Sequence, residues 1–234
     1  MENTLIITAN NINHPSEQLN RRQSIMLDTA GLLDILTESC RLAECNPEMK
    51  IVFYHPDADK ENFLQNFSNN LQSANLTVDK HFTNFFNKKI EYHSFDSLPY
   101  GEVLTSALLR ETADEDTENV ILVRCLCPML IGEMLDDAFY YLSESDLVLG
   151  GTKSGELYLL GLHKFDRQFF QQIDLASDSA YTDLFAAAQN AGLETDKMDI
   201  LESVNQKQDM KKLYEKLCQN GFAPNTKTIL EKIL

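Results

Sequence analysis

Residues 150–156, GGTKSGE, are the most conspicuous candidate for ligand chemistry in the sequence. They combine three glycines, a lysine and an acid, a composition that is typical of phosphate-binding loops. Their spacing differs from the G-x-x-x-x-G-K-[ST] pattern, and an apolar run follows them instead of a helix whose N-terminus attracts an anion. From the residues alone, a turn is therefore the favoured interpretation.

The cysteines are the candidate metal ligands, with Cys125 and Cys127 in CLCP and with Cys40 and Cys45 upstream. Structural zinc sites usually carry C-x2-4-C spacing on loops, whereas C-x-C here ends an apolar run. Free cysteine is also among the most buried residue types. We predict reduced, metal-free thiols, with Cys125 and Cys127 on one side of a strand and Leu126 on the other. No histidine has metal-ligand spacing or marks itself as the partner of a catalytic cysteine.

The charge balance excludes some classes of function. Lys and Arg together number 20 against 36 Asp and Glu, a formal net charge of -16. No clustered basic surface is present, which argues against nucleic-acid binding. No apolar run approaches the ~20 residues of a membrane span, and MENTLIITANN does not resemble a signal peptide. With an odd number of cysteines as well, we expect a cytoplasmic protein without a disulfide framework.

The elements that must position these residues follow an alternating pattern. Apolar runs of strand length alternate with stretches of helical period, which predicts an α/β fold with a mostly parallel sheet flanked by helices. The predicted strands are 4–9, 50–55, 90–95, 119–125, 146–151, 156–162 and 198–204. The connection between 146–151 and 156–162 is too short for a helical crossover, so we predict that 156–162 is antiparallel.

The helical stretches complete the pattern. The predicted helices are 24–44, 61–74, 101–113, 131–144 and 178–192, followed by two helices separated by NGFAP. Gly192 is the predicted end of the helix before it. Residues 73–89 do not fit the alternation, and we interpret them as an insertion or lid. No linker or repeat interrupts the chain, so we expect one domain over residues 1–234.

The order of several motifs resembles a known family. VILVRCLCPML, DLVLGGTKSGELYLLGL, a helix ending NAGL and ILESVNQKQDMKKL follow one another as in the bacterial radical-SAM/selenodomain-associated glycosyltransferase-like proteins. The resemblance implies the GT-A, or nucleotide-diphospho-sugar transferase, fold. It covers residue 100 to the end and is weaker before that, where Asp28 and Thr29 resemble a D-T pair. The most specific segment keeps Gly150, Gly155, Tyr158 and Gly161.

The resemblance also implies acids that this sequence lacks. Members carry G-T-D-C-P-x-L, then V-L-G-P-x-x-D-G-G-Y-Y-L-L-G-L, then D-x-D-T-P-x-D-L. The aligned positions are Leu126 for the first acid, Ser154 and Glu156 for the D-G-G motif, Ser203 and Asn205 for D-x-D, and Asp209 for the later acid. In the family these carboxylates hold Mg²⁺ or Mn²⁺, which prefer hard oxygen ligands. A leucine side chain supplies no oxygen ligand.

We expect a substrate pocket at the carboxyl ends of the strands, where open α/β sheets bind ligands. The candidate residues are Asn10, Asn11, Arg21, Arg22, Glu102, Arg124, Cys125, Lys153, Ser154, Glu156 and Asp178. Arg21 and Arg22 stand as distant equivalents of the family's P-G-x-x-K-T-R-L loop. We assign no catalytic residue and no metal ligand, and we expect no cofactor.

Two functions remain open. The first is a degenerate relative that has lost metal-dependent sugar transfer and acts as a binding or interaction protein. The second is an active nucleotide-sugar-dependent transferase in which Arg124 and Lys153 replace the divalent cation. A nucleotide sugar or another small molecule is the expected ligand, and the sequence identifies no protein partner.

Overall fold

The computed structural model describes residues 2–9, 19–78, 80–95, 98–164, 166–170, 173–204 and 207–234. The strands are β1 (Glu2–Thr8), β2 (Lys50–His55), β3 (Ile90–Ser94), β4 (Thr117–Arg124), β5 (Leu147–Gly151), β6 (Leu157–Leu162) and β7 (Thr195–Lys197). The helices are α1 (Arg21–Cys45), α2 (Lys60–Ala74), α3 (Lys80–Lys89), α4 (Tyr100–Glu111), α5 (Gly132–Leu142), α6 (Arg167–Phe170), α7 (Ala180–Ala191), α8 (Lys207–Asn220) and α9 (Pro224–Ile233).

The seven strands form one sheet in the order β3-β2-β1-β4-β6-β5-β7. β6 is antiparallel to both β4 and β5, and every other neighbouring pair is parallel. The predicted α/β architecture with one antiparallel strand is therefore confirmed. Its physical cause is the short connection after β5, which reverses the chain and returns it beside β5.

Helices cover both faces of the sheet. One apolar core lies between the sheet and α1, α2, α3, α5, α8 and α9, and a second lies between the sheet and α4, α6 and α7. The central strands supply side chains to both cores: Ile7 of β1 belongs to the first and Ile6 to the second, and neither is exposed. This double burial explains why these strands carry consecutive apolar residues, such as 5–7 in β1 and 120–123 in β4, instead of alternating apolar and polar ones.

Two predictions about local structure are wrong. Residues 73–89 are not a lid, because most of this stretch forms α3, a second helix between β2 and β3, and Phe82 and Phe86 are buried in the first core. Residues 198–204 form no strand, although Leu201 makes a single bridge to Thr152. The strand in this part of the chain is the three-residue β7, which is polar and precedes the buried segment. Burial of an apolar segment does not require a ladder of strand hydrogen bonds.

Candidate functional site

The order in which successive strands are added to the sheet reverses at β1. This strand pairs with β2 on one side and with β4 on the other. β2 follows β1 through α1 on one face, and β4 is reached through α4 on the opposite face. Such a switch point leaves a crevice beyond the strand ends. Thr8 ends β1 beside Arg124 of β4, and the Cys125 N–H donates to the Thr8 carbonyl at 3.2 Å.

A cleft of about 480 Å³ opens beyond the ends of β1 and β2, on the α1 face. We call it the edge cleft. It is lined by Ala9, Arg21, Ile25, Asp28, Thr29, Leu32, Pro56, Asp57, Phe63, Asn66, Phe67, Asn69, Asn70 and Cys125. It thus combines one arginine, two acids, three amides and two aromatic rings, a mixture suited to a polar small molecule.

Arg21 reaches the edge cleft because α1 begins there. The helix starts with a capping box: the Asn20 side chain accepts the Gln23 N–H at 3.0 Å, and the Gln23 side chain accepts the Asn20 N–H at 3.1 Å. This places Arg21 in the first turn of α1, where it lines the edge cleft together with Ala9. Arg22 is exposed on the same turn but does not line the cleft.

Arg124 lies at the end of β4, on the face of the sheet opposite to the edge cleft, and is almost completely buried. Its Nη1 donates to the carbonyl oxygens of Leu157 at 3.0 Å and Leu175 at 3.2 Å. The guanidinium carbon is 5.4 Å from the centre of the Tyr100 ring. The Tyr100 hydroxyl is hydrogen-bonded to the Thr8 hydroxyl at 2.8 Å. Burial raises the pKa of Tyr100, so its hydroxyl stays neutral.

GGTKSGE connects β5 to β6 as a tight turn, as predicted. The Thr152 N–H donates to the Glu156 carbonyl at 2.8 Å, and the Glu156 N–H donates to the Thr152 hydroxyl at 3.1 Å. The Ser154 hydroxyl donates to the Glu156 carboxylate at 2.9 Å. Gly155 has a φ of 98°, and a Cβ there would lie 2.7 Å from the Asp178 carbonyl oxygen. The turn therefore needs its glycine for geometry.

The two preceding glycines make room for aromatic rings. A Cβ on Gly150 would lie 2.5 Å from the Tyr158 ring, and a Cβ on Gly151 would lie 2.5 Å from the Tyr181 ring. The Tyr158 hydroxyl donates a hydrogen bond to the Asp199 carbonyl at 2.9 Å. The glycines of this patch thus serve close packing around the turn.

Glu202 is a buried acid that the sequence analysis missed. Its carboxylate accepts Lys153 Nζ at 2.5 Å and Lys216 Nζ at 2.7 Å, which ties the β5–β6 turn to the segment before α8 and to α8 itself. Burial alone would raise the pKa of Glu202, but the two lysines outweigh it and hold the pKa below the usual value. The sequence marked Glu202 only as an acid that directly follows the apolar pair Ile200 and Leu201 and precedes Ser203.

The positions at which the resemblance to glycosyltransferase-like proteins implies acids do not fit a divalent cation. Leu126 and Ser203 are buried, and Ser154 hydrogen-bonds within the turn. In the part of the chain that the structure describes, no group of three or more His, Cys, Asp or Glu residues is arranged to hold a metal ion. Asn205 lies outside that part, as does the side chain of Asp209.

The structure distributes the other predicted site residues among separate places. Asn10 and Asn11 lie outside the described residues. Glu102 lines a second cleft, of about 470 Å³, beside α4. Asp178 is exposed, with its backbone against Gly155. Arg21 and Cys125 therefore share the edge cleft, while Lys153, Ser154 and Glu156 share the turn.

The cysteines are all free thiols. β4 ends at Arg124, so the predicted alternation of Cys125, Leu126 and Cys127 about a strand is wrong: the chain turns there, and all three side chains enter the same core. Burial raises the pKa of Cys125 and Cys127 well above the usual thiol range. No helix of the described residues has the length and apolar composition needed to cross a bilayer.

Comparisons with known structures show the fold. A candidate nucleotide-diphospho-sugar transferase from Desulfovibrio desulfuricans G20 superimposes with a TM-score of 0.75 at 18% identity, over 99% of this chain and 94% of that chain. 4-Diphosphocytidyl-2C-methyl-D-erythritol synthase from Anaerococcus prevotii DSM 20548 gives 0.51 at 13% identity, over 92% and 96%. A CMP:2-keto-3-deoxy-manno-octonic acid synthetase complexed with CTP gives 0.52 at 9% identity, over 94% and 99%. The chain has the nucleotide-diphospho-sugar transferase fold.

The sequence comparisons place the chain in a family. No curated protein matches it. Residues 41–177, more than half of the chain, match the family described as "Uncharacterized protein conserved in bacteria (DUF2064)". This stretch runs from the end of α1 to the segment before α7 and includes the β5–β6 turn. The protein therefore belongs to the bacterial DUF2064 family.

Proposed function

We propose that this protein binds a nucleotide-activated sugar, or a related small molecule, at the carboxyl edge of the sheet without metal-dependent sugar transfer. The observation that carries the proposal is the edge cleft, which lies at the topological switch point and has the volume of a small-molecule site. Proteins of the same fold include a synthetase complexed with CTP, which supports a nucleotide as part of the ligand. Residues 1–234 act as one cytoplasmic domain in this proposal.

The residues around the edge support loss of metal-dependent transfer. Leu126 stands where the resemblance to glycosyltransferase-like proteins implies the first acid, and it is buried in the core. Glu202, the acid nearest in sequence to Ser203, is neutralised by Lys153 and Lys216. The Leu126 side chain has no oxygen ligand, and each carboxylate oxygen of Glu202 accepts from a lysine. We therefore assign no catalytic residue and propose no cofactor.

The alternative, transfer with Arg124 and Lys153 in place of the cation, has less support. Replacing a metal requires positive groups that converge on one diphosphate. The Arg124 guanidinium donates to two backbone carbonyls on the face of the sheet that α4 covers, and Lys153 Nζ donates to Glu202. Their hydrogen bonds therefore point to protein acceptors in different places.

Calorimetry tests the proposal with UDP-glucose, GDP-mannose, CDP-activated sugars and CTP, each with Mn²⁺ and with a chelator. We expect at least one ligand to bind with the same affinity in both conditions. Arg21→Ala should weaken binding roughly tenfold, since Arg21 is the basic residue among the described lining of the edge cleft. Arg22→Ala is the matched control, because Arg22 is exposed on the same turn outside the cleft. Binding that requires Mn²⁺, or no binding of any of these ligands, overturns the proposal.

A further inference from the structure

A cavity of about 350 Å³ lies where α1, the start of α5 and the connection between α8 and α9 meet. We call it the junction pocket. It shares no lining residue with the edge cleft. Arg41, Glu133 and Phe222 line it and are exposed, so the pocket is open to solvent without any change in the protein. Its volume is within the range of small-ligand sites, about 300–1,000 Å³.

Carboxylates outnumber cations in the lining of the junction pocket. Asp34, Glu38 and Glu133 line it, and Arg41 is the one cation among its described residues. Arg41 pairs with Glu38 at 2.5 Å, and the other oxygen of Glu38 accepts the Gly132 N–H at 3.1 Å. Within the described part of the chain, Asp34 and Glu133 form no ion pair. The lining therefore carries negative charge that Arg41 does not balance.

Asp34 is the buried member of this set, with an exposed fraction of 4%. Its carboxylate accepts hydrogen bonds from Asn225 and Thr226 at the start of α9. Burial outweighs these bonds and raises the pKa of Asp34. The start of α9 offsets only part of the charge, because a helix N-terminus carries about half a unit of positive charge. Buried carboxylates are usually paired with a full cation, so the pocket has an electrostatic preference for one.

The remaining lining is suited to an apolar stem. Pro128 and Ile131 come from the segment before α5, and Phe222 and Pro224 come from the connection between α8 and α9. Phe222 is 37% exposed, which is unusual for a large apolar side chain. Its N–H donates to the Asn220 side chain at 3.0 Å, which orders the backbone that presents the ring. An aromatic face also attracts an organic cation, so both parts of such a ligand have matching surfaces here.

We infer that the junction pocket binds an organic cation, an ammonium or guanidinium group on an apolar stem. The stem packs against the apolar lining beside Phe222, and the head group is attracted by Glu133 and by the incompletely balanced charge of Asp34. Free alkyl amines and guanidines carry such a group, and so do the lysine and arginine side chains of other proteins. The site is separate from the edge cleft, so the inference goes beyond the proposed function, and absence of nucleotide binding there leaves it unaffected.

A titration followed by backbone amide NMR signals tests the inference with n-butylguanidinium, n-butylammonium and n-butylurea. Butylurea has nearly the shape of butylguanidinium but no charge. We expect at least one of the two cations to cause saturable shifts at Gly132, Phe222 and Asn225, with a Kd of about 1–10 mM for a ligand of this size. Butylurea should bind at least about tenfold more weakly, because it lacks the charge that the acids attract.

Capped amino acids separate the two sources of the cation. Nα-acetyl-arginine-N-methylamide and its lysine equivalent present the same head groups as side chains in a protein do. If the capped derivative binds within about tenfold of the butyl cation, the pocket accepts a basic side chain of a partner protein. If it binds more weakly than that, the backbone does not fit, and a free amine or guanidine is the ligand.

Variants of two exposed lining residues locate the binding. Glu133→Gln should weaken binding of the cation about two- to fivefold, the usual range for an exposed ion pair. Phe222→Ala should have a similar effect, because it removes the aromatic face. Glu144→Gln is the matched control: it removes an exposed acid just after the same helix, outside the pocket, and should change nothing. Equal affinities for butylurea and the cations, shifts that do not saturate, or unchanged affinity in both Glu133→Gln and Phe222→Ala overturns the inference.

Discussion

The carboxylate of Asp34, in the middle of α1, accepts both the backbone N–H and the hydroxyl of Thr226, at 2.8 and 2.7 Å. Its other oxygen accepts two donors of Asn225, the backbone N–H at 3.2 Å and the amide at 2.8 Å. α9 begins at Pro224, and its N-cap residue Ala223 has no side-chain cap of its own. An acid from α1 therefore caps α9 across the tertiary structure.

Asp34→Ala should lower the free energy of unfolding by about 2–3 kcal/mol, because it leaves two buried donors of Thr226 and two partly buried donors of Asn225 without their acceptor. Asp34→Asn keeps one acceptor and should cost less. Urea unfolding measures the stability, and hydrogen exchange should show faster opening of α9 than of α7. Unchanged stability in Asp34→Ala would contradict the capping role.

Glu202→Gln should remove part of the acid sensitivity of the protein. The pKa of Glu202 is lowered in the folded state, so its charged form stabilises the fold above the usual value of 4.5. This contribution is lost as the pH falls through the lowered pKa. We expect Glu202→Gln to cost about 1–3 kcal/mol at pH 7 and less as the pH falls below 4.5. Exposed Glu133→Gln is the control. A pH-independent difference between wild type and Glu202→Gln would refute this.

Gly155→Ala should destabilise the protein more than Gly192→Ala. Both glycines have positive φ, 98° and 72°. At Gly155 a Cβ also meets the Asp178 carbonyl oxygen at 2.7 Å, whereas at Gly192 nothing lies within 4 Å. We expect about 1–2 kcal/mol for Gly192→Ala from backbone strain alone, and about 2–4 kcal/mol for Gly155→Ala. Thermal unfolding of the two variants compares them, and equal losses would show that the close contact relaxes without cost.

Two thiols should react in the native protein. Cys45 and Cys218 are exposed, whereas Cys40, Cys125 and Cys127 are buried. Burial raises the pKa of Cys40 to about 12, so little of the reactive thiolate is present near neutral pH. Titration with a thiol reagent should modify Cys45 and Cys218 first and the remaining three only in denaturant. Stoichiometric zinc that is lost with Cys125→Ser would overturn the prediction of metal-free cysteines.

The strands that are buried on both faces could be predicted from the sequence, because their burial makes them apolar. β2 has the predicted bounds, and β6 is antiparallel as the short connection required. β7 was missed because TDK is polar and short, with no apolar alternation to mark it. α3 was missed although Phe82, Phe85 and Phe86 have the i, i+3, i+4 spacing of a helix. A second helix between β2 and β3 does not fit the strand–helix alternation on which the prediction relied.

The candidate site was less accessible to sequence reasoning. Arg21 and Cys125 line the same cleft, but Phe63 and Asn66 on α2 carry no motif that could have drawn attention to them. Glu202 was missed because the aligned acids fell on its neighbours Ser203 and Asn205. Partners separated widely along the chain, such as Lys153 and Glu202, are set by how the turn and the segment before α8 pack.

The position of β6 has a consequence for synthesis on the ribosome. β1 to β4 emerge first and form the β3-β2-β1-β4 half of the sheet, but the partner of β4 is β6, which follows β5 in the chain. Until residue 162 has emerged, the apolar stretch Val120–Val123 of β4 lacks its partner strand and is an unpaired edge. Such an edge is prone to pair with other chains. Nascent chains stalled between β4 and β6 should therefore be the ones that chaperones retain.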